Sequence, residues 1–267
     1  MHSLLLVLFC LSPVNGDPIQ TLIENDPFSP DRINAEEITN PSMDQETLQF
    51  HINEATNQEE ANLLMLQLID GAAQQAGVKL NSINTRKARS FNDQESVQQV
   101  RTYFGYDSDL ESLIALLQIL ENQDVPVAIT NLTISARQRP NTKLKNKQFP
   151  DRAPLNGNAI ITALYPADAS VIAEHEALTY LGNKGTIIDV LVAISAALPK
   201  DAYLTHLQIK DGNILTIQGK TNNGNEVYQS LSEIDLIKDI NPGNFTTNTS
   251  STSQRFMYKA TLNFKNF

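Results

Sequence analysis

Between Thr186 and Gly219 the apolar positions change period. Ile187, Leu191, Ile194 and Leu198 recur at spacings of four, three and four, the stripe of a helix that Pro199 then stops. Beyond it Tyr203, Thr205, Leu207 and Ile209 alternate with more polar neighbours. Asp211-Gly212-Asn213 supplies residues that tolerate positive φ in a tight turn, and Ile214 to Gly219 returns. The pattern is an αββ unit, which buries one face only and therefore needs a partner. The partner follows at once. After Asn222 and Asn223, both suited to capping a helix, Val227, Leu231 and Ile234 recur at helical spacing, and Leu236 to Ile240 reads as a short strand. Asn241 to Gln254 is turn and loop chemistry, and Phe256, Tyr258, Ala260, Leu262 and Phe264 form the cleanest period-two strand of the chain. Lys184 to Phe267 thus predicts αββαββ, a four-stranded antiparallel sheet with two helices on one face.

The same order recurs upstream. Leu48, Phe50 and Ile52 alternate as a strand, after which Thr56 with Glu59, or Asn57 with Glu60, offers a capping box. The helix that follows lines Leu64, Leu68 and Ala72 on one face and ends at Gly77. Val78 to Asn84 and Val97 to Tyr106 are expected strands, the latter with Val100, Thr102, Phe104 and Tyr106 on one side. A second helix carries Leu110, Leu113, Ile114, Leu117 and Leu120 on its stripe, and Val127 to Ala136 and Asn158 to Tyr165 complete the set. Between Ile129 and Leu132 the alternation slips, which predicts a bulge near Asn131. The expected fold is α+β, two ferredoxin-like αββαββ sandwich domains in tandem. Their expected bounds are residues 48–165 and 184–267, with independent folding of the two. They are joined by a linker, residues 166–183, in which Ala169 to Leu181 is compatible with a helix closed by Gly182.

Composition narrows the class. The chain has 267 residues, 41% of them hydrophobic and 19% charged, which is ordinary for a globular chain of one or two domains. A net charge of -10 argues against a nucleic-acid binder, which needs a basic field. No apolar run reaches the roughly 18 residues that span a bilayer. Cys10 is the only cysteine, so there is no disulfide.

Residues 1–16 read as a cleaved export signal, with a truncated membrane anchor or a misplaced start codon as the alternatives. Ser3 to Leu11 is a short apolar run, and Val14 and Gly16 are small enough for the positions before a cut between Gly16 and Asp17. Residues 17–47, rich in proline, asparagine and acidic residues, are expected to be an extended arm. Within it Asn25 to Arg32, NDPFSPDR, places Phe28 between two prolines. That arrangement suits a docking peg, since prolines reduce the entropy lost on binding, and equally suits an arm that packs on its own domain.

Catalytic chemistry finds no foothold. His175-Glu176-Ala177-Leu178-Thr179 begins like a zinc-protease helix but has Thr179 where the second histidine must stand. Gly182 to Thr186 is too short for a phosphate loop, Ser195 lies in an alanine-rich helix without a nucleophile elbow, and His51 and His206 each stand alone in a strand. No cofactor or metal is expected. Arg137 to Arg152 holds six basic residues and one acidic one, a long hairpin that suits solvent, an acidic partner or anionic headgroups. Asn131, Asn244 and Asn248 head glycosylation sequons.

Two stretches resemble known families. Leu63 to Gly77, LLMLQLIDGAAQQAG, followed by VKLNSI and SDLESLIALLQILENQDVPVAITNLTIS, resembles the periplasmic domain of PilO-like proteins and of type II secretion protein M. Thr186 to Phe264, through LPKDAYLTHLQI and the terminal FMYKATLNF, resembles the PilN-like domain shared with type II secretion protein L. The resemblance implies a non-enzymatic periplasmic scaffold of a type IV pilus or type II secretion assembly platform, working at the inner membrane through homo- or heterodimers with other assembly proteins. The chain departs from that pattern in lacking the usual amino-terminal membrane helix and in carrying both domain types, as if one polypeptide replaced a heterodimer. With pairing as the expected mode of action, the candidate partner-binding residues are Phe28 in the arm and Phe256, Tyr258 and Leu262 on the last strand, which would invite pairing if it lay at a sheet edge. The alternative is a free periplasmic binding or adaptor module, unrelated to secretion. An enzyme on this scaffold would need a convergent arginine and anion-binding loop, which the sequence does not offer.

Overall fold

A computed structural model describes residues 17–30, 55, 57–91, 94–122, 127–136, 154–166, 186–243, 246–247 and 254–264. The expected signal through Gly16, the strand at Leu48, the hairpin loop Arg137 to Arg152, the linker beyond Pro166, His51, His175 and the sequons at Asn244 and Asn248 lie outside them.

The described chain is α+β. Its helices are α1 (Pro18–Glu24), α2 (Gln58–Ala76), α3 (Leu110–Glu121), α4 (Ile187–Ala197) and α5 (Gly224–Ser232). Its strands are β1 (Lys79–Phe91), β2 (Gln94–Ser108), β3 (Val127–Ala136), β4 (Leu155–Pro166), β5 (Tyr203–Lys210), β6 (Ile214–Thr221), β7 (Ile237–Pro242), β8 (Thr246–Thr247) and β9 (Gln254–Leu262). All pair antiparallel in one open sheet of order β1-β2-β4-β3-β5-β6-β9-β7, with the two-residue β8 placed against Arg255 and Gln254 of β9.

Local chemistry sets the helix ends, those of α2 where the sequence leads one to expect. Asn57 caps α2 by accepting from Glu60 N at 2.9 Å, and Gly77 closes it in the left-handed region at φ 70. Asp109 accepts from Ser112 N at 2.9 Å to start α3. Thr186 and Asp189 form a reciprocal capping box on α4. The stripes Leu110, Leu113, Ile114, Leu117, Leu120 and Ile187, Leu191, Ile194, Leu198 are all buried. In α2 the buried face is Ala61, Met65, Leu68, Ile69, Ala72, Ala73 and Ala76, turned away from Leu64, which only packs on the margin.

Two register shifts bear on the strands that join the units. Between Ile129 and Asn131 the β3–β4 register shifts by one residue, as the broken alternation predicts, so the sequon at Asn131 sits inside a paired strand. A second shift, between Leu204 and His206, overturns the simple alternation read from Tyr203 and Thr205: Leu204, Leu207 and Ile209 are the buried side chains. Gly157 makes the close approach that β4 needs, since a Cβ there would collide with the Thr133 carbonyl oxygen and lie 2.7 Å from the Tyr106 hydroxyl. That hydroxyl donates to Thr133 O at 2.9 Å.

The first unit orders its strands first, second, fourth, third, and the second unit does the same with β5, β6, β9, β7. The third strand of the first unit and the first strand of the second are both outer strands, and here they pair. Leu132, Thr133, Ile134 and Ser135 stand opposite Ile209, Gln208, Leu207 and His206. Above this seam α3 lies against α4, and one contiguous apolar core runs from Met65 and Phe104 to Val227 and Leu262.

Two expectations are corrected. The last strand is not an edge: β9 is held between β6 and β7, and Phe256, Tyr258 and Leu262 point into the core. Residues 17–30 are not simply extended, because Asp17 and Pro18 start a helix. The outer strands are instead β1 and β7.

The continuous ladder and shared core lead to a prediction. Ile134 is fully buried at the seam, so Ile134→Ala should cost about 2–5 kcal/mol and shift a single cooperative unfolding transition of the whole chain. Calorimetry resolving two transitions, with only one moved by the substitution, would show that the units fold independently.

Candidate functional site

Side chains with chemical character collect where the two units meet. At the end of the β3–β5 ladder Ser135 Oγ and His206 Nδ1 are 2.9 Å apart, and burial holds the His206 imidazolium disfavoured. The bulge in β3 serves the same junction, since the Thr130 carbonyl accepts from Gly212 N at 2.7 Å, in the β5–β6 turn where Asp211 and Gly212 take positive φ.

A carboxylate on the helix layer matches this. Glu121, the last residue of α3, reaches across to the first turn of α4, where its Oε1 accepts from Ile187 N at 2.7 Å. Its other oxygen, Oε2, is buried with no hydrogen-bond partner. Burial pushes its carboxyl up to about 7; the Ile187 N–H pulls the other way, Asp189 nearby adds repulsion, and the Ile188 N–H lowers it again. Glu121 therefore caps a helix of the opposite unit with a charge that is costly to keep.

The amino-terminal segment is the third feature. Asp17 caps α1 by accepting from Ile19 N at 3.0 Å, and Asp26 Oδ1 accepts from Phe28 N at 2.9 Å to close an Asp-Pro-Phe turn. The segment precedes the first unit in the chain but packs on the second. Ser195 Oγ on α4 donates to Asn25 O at 2.9 Å, and Leu204 N donates to Pro27 O at 2.7 Å, two residues beyond the last β3–β5 pair. Leu22 and Phe28 are each 1% exposed, worth about 1.5–3 kcal/mol apiece by burial. Phe28 is thus seated in its own chain. Ser195, whose hydroxyl holds this segment, has a binding role within the fold. Beside it an open groove of about 570 Å³ is lined by residues including Asn25, Leu198, Lys200 and Glu226.

Of the residues singled out from sequence, the structure buries Phe28, joins Ser195 to Asn25 of the same segment, and places Phe256 and Tyr258 together in the core, their ring centroids 5.4 Å apart. Tyr258 donates to Gly224 O at 2.7 Å, which fixes the start of α5. Asp17 is a helix cap. Glu121 and Ser135 escaped the sequence reading because their partners lie 66 and 71 residues away, and Asp26 escaped it although its partner is only two residues away. Only Asp26 carried a local signal, the Asp-Pro pair. Among the described residues no group of three metal-ligating side chains comes together, and no helix is long and apolar enough to cross a membrane. No protein-family model matches the chain, and no curated protein matches it.

Glu121 carries a pH prediction with a definite sign. Its folded pKa lies above the unfolded value, so the folded protein binds the extra proton, and this contribution to stability is lost as pH rises from about 4.5 to about 7. The full effect is on the order of 3 kcal/mol. His206, lowered by burial, acts in the opposite sense, losing stability as pH falls below the ordinary histidine range. Subtracting the denaturation free energies of Glu121→Gln from those of the parent across pH 4.5–8 isolates the carboxylate. The difference should change steadily up to about pH 7 and then level; a difference independent of pH would remove Glu121 from the pH response.

Proposed function

We propose that the protein is a non-enzymatic scaffold of a type IV pilus or type II secretion assembly platform, exported to the periplasm and acting by protein–protein pairing at the inner membrane. On this reading each αββαββ unit is a ferredoxin-like sandwich, the first PilO-like and the second PilN-like. The observation that carries it is the β3–β5 seam. Two units with the same strand order are joined edge to edge, the way separate subunits of like fold would pair, so the chain has the form of a fused heterodimer.

On this reading the partner surface lies on the outer strands, β1 and β7. β7 is short, has Asp239 at φ 52, a register shift and a terminal proline, all of which discourage pairing. β1 spans 13 residues and bears Lys79, Arg86, Lys87 and Arg89 with no acidic residue, while Arg86 stands opposite Arg101 of β2. On a chain of net charge -10 this is a basic edge. Its cations and register shifts oppose antiparallel pairing with a second β1 and favour an acidic strand of a different assembly protein.

The test is co-purification and light scattering of the full chain with inner-membrane components of these machines, repeated with Arg86→Glu/Arg89→Glu. The parent should form a complex that weakens with added salt, and the double variant should bind at least about tenfold less tightly, one to two ion pairs' worth. If the folded parent engages none of these components, the scaffold reading fails and the free adaptor module replaces it. If the double variant binds as well as the parent, β1 is not the contact.

A further inference from the structure

We infer that the end of α4 and the start of β5 form a peptide-binding groove, and that Asp17–Pro30 occupies it as a separable ligand, anchored by Leu22 and Phe28 on a self-closed Asp-Pro-Phe turn. This inference stands apart from the scaffold reading, since it concerns a different surface and needs no assembly partner.

Three observations carry it. The segment makes several of its own hydrogen bonds. Asp17 caps α1, Thr21 Oγ1 donates to Asp17 O at 3.2 Å, Gln20 Nε2 donates to Glu24 Oε1 at 2.9 Å, and Asp26 closes the following turn through Phe28 N and Ser29 N. These bonds need no receptor atom, while the seven-residue helix itself is held by its packing on the second unit. Its attachment has the form of peptide recognition. A receptor hydroxyl, Ser195, and a receptor strand amide, Leu204 N, each reach a peptide carbonyl, and two apolar side chains are sealed from solvent.

Connectivity is the third. Residues 31–47 precede the expected start of the first unit, 17 residues whose greatest reach of roughly 60 Å does not oblige the segment to sit on the second unit rather than on its own neighbour in sequence. The groove's chemistry selects the place. Beside the docked segment the open volume at Asn25 is flanked by Ser195, Leu198, Lys200 and Glu226. In the intact chain the tether supplies an effective concentration on the order of millimolar, so the chain's own segment is the occupant.

The experiment severs the tether and keeps the rest of the protein whole. A site-specific protease sequence inserted between Asn40 and Pro41 of the full chain is cut in the native state, and synthetic Asp17–Pro30 peptide bearing a fluorophore is added. The expected result is displacement of the severed piece, seen by size exclusion and mass spectrometry, and saturable fluorescence anisotropy while near-ultraviolet circular dichroism stays native. A Phe28→Ala peptide should compete at least about tenfold more weakly, as loss of a buried aromatic anchor requires. Uncut chain, its groove filled, should bind the labelled peptide far less than cut chain; equal binding to both would place the peptide elsewhere and overturn the assignment. Retention of the severed piece until the protein unfolds would show it to be an integral part of the core. Binding of the Phe28→Ala peptide as strong as the parent peptide's would equally overturn the proposal.

Discussion

The structure depends on one short ladder, the four residue pairs between β3 and β5. Without it each unit would be a four-stranded sheet with two outer strands, and the chain would present four edges to solvent. With it, two edges are consumed internally, an eight-strand order results, and α3 is brought against α4 to continue one helix layer over one sheet. Leu132, Ile134, Leu207 and Ile209 lie on the helix side of this ladder and are at most 1% exposed, so hydrogen bonding across the seam and apolar burial beneath it reinforce each other.

The seam also explains features that are otherwise odd. The β3 bulge leaves a carbonyl outside its own ladder, and Thr130 O is taken up by the hairpin turn of the other unit. Glu121 is an unfavourable place for a carboxylate, yet it supplies an acceptor to an orphan amide at the start of a helix that its own unit does not own. Past the last pair of the ladder, Leu204 N is met by Pro27 O, so the amino-terminal segment takes up backbone where the partner strand has stopped. Each is a backbone group left over by joining two units, satisfied by whatever neighbour the junction provides.

Much of this was legible in the sequence, and for local reasons. Helix caps at Asn57, Asp109, Thr186 and Asn223, the stop at Gly77, the turn at Asp211-Gly212 and the stripes of α3 and α4 are decided within a few residues of chain, and the alternation of β2 and β9 reports which face is covered. Even the slip near Asn131 is a local event, because one extra residue reverses the alternation. The repeated αββαββ order followed from these elements alone.

The sequence could not decide which strands lie at the edges. Alternation records that one face of β9 is buried and says nothing of what borders it sideways, so a proline-free, alternating strand reads the same whether it is flanked by β6 and β7 or open to solvent. The burial of Phe28, the flanking of β9 on both sides, the pairing of Ser135 with His206 and the raised carboxyl of Glu121 are likewise products of contacts between residues far apart in the chain. Periodicity is a property of a segment and was readable from it. Lateral neighbours, desolvation and the choice of docking surface belong to pairs of segments, and only the tertiary structure brings those pairs together.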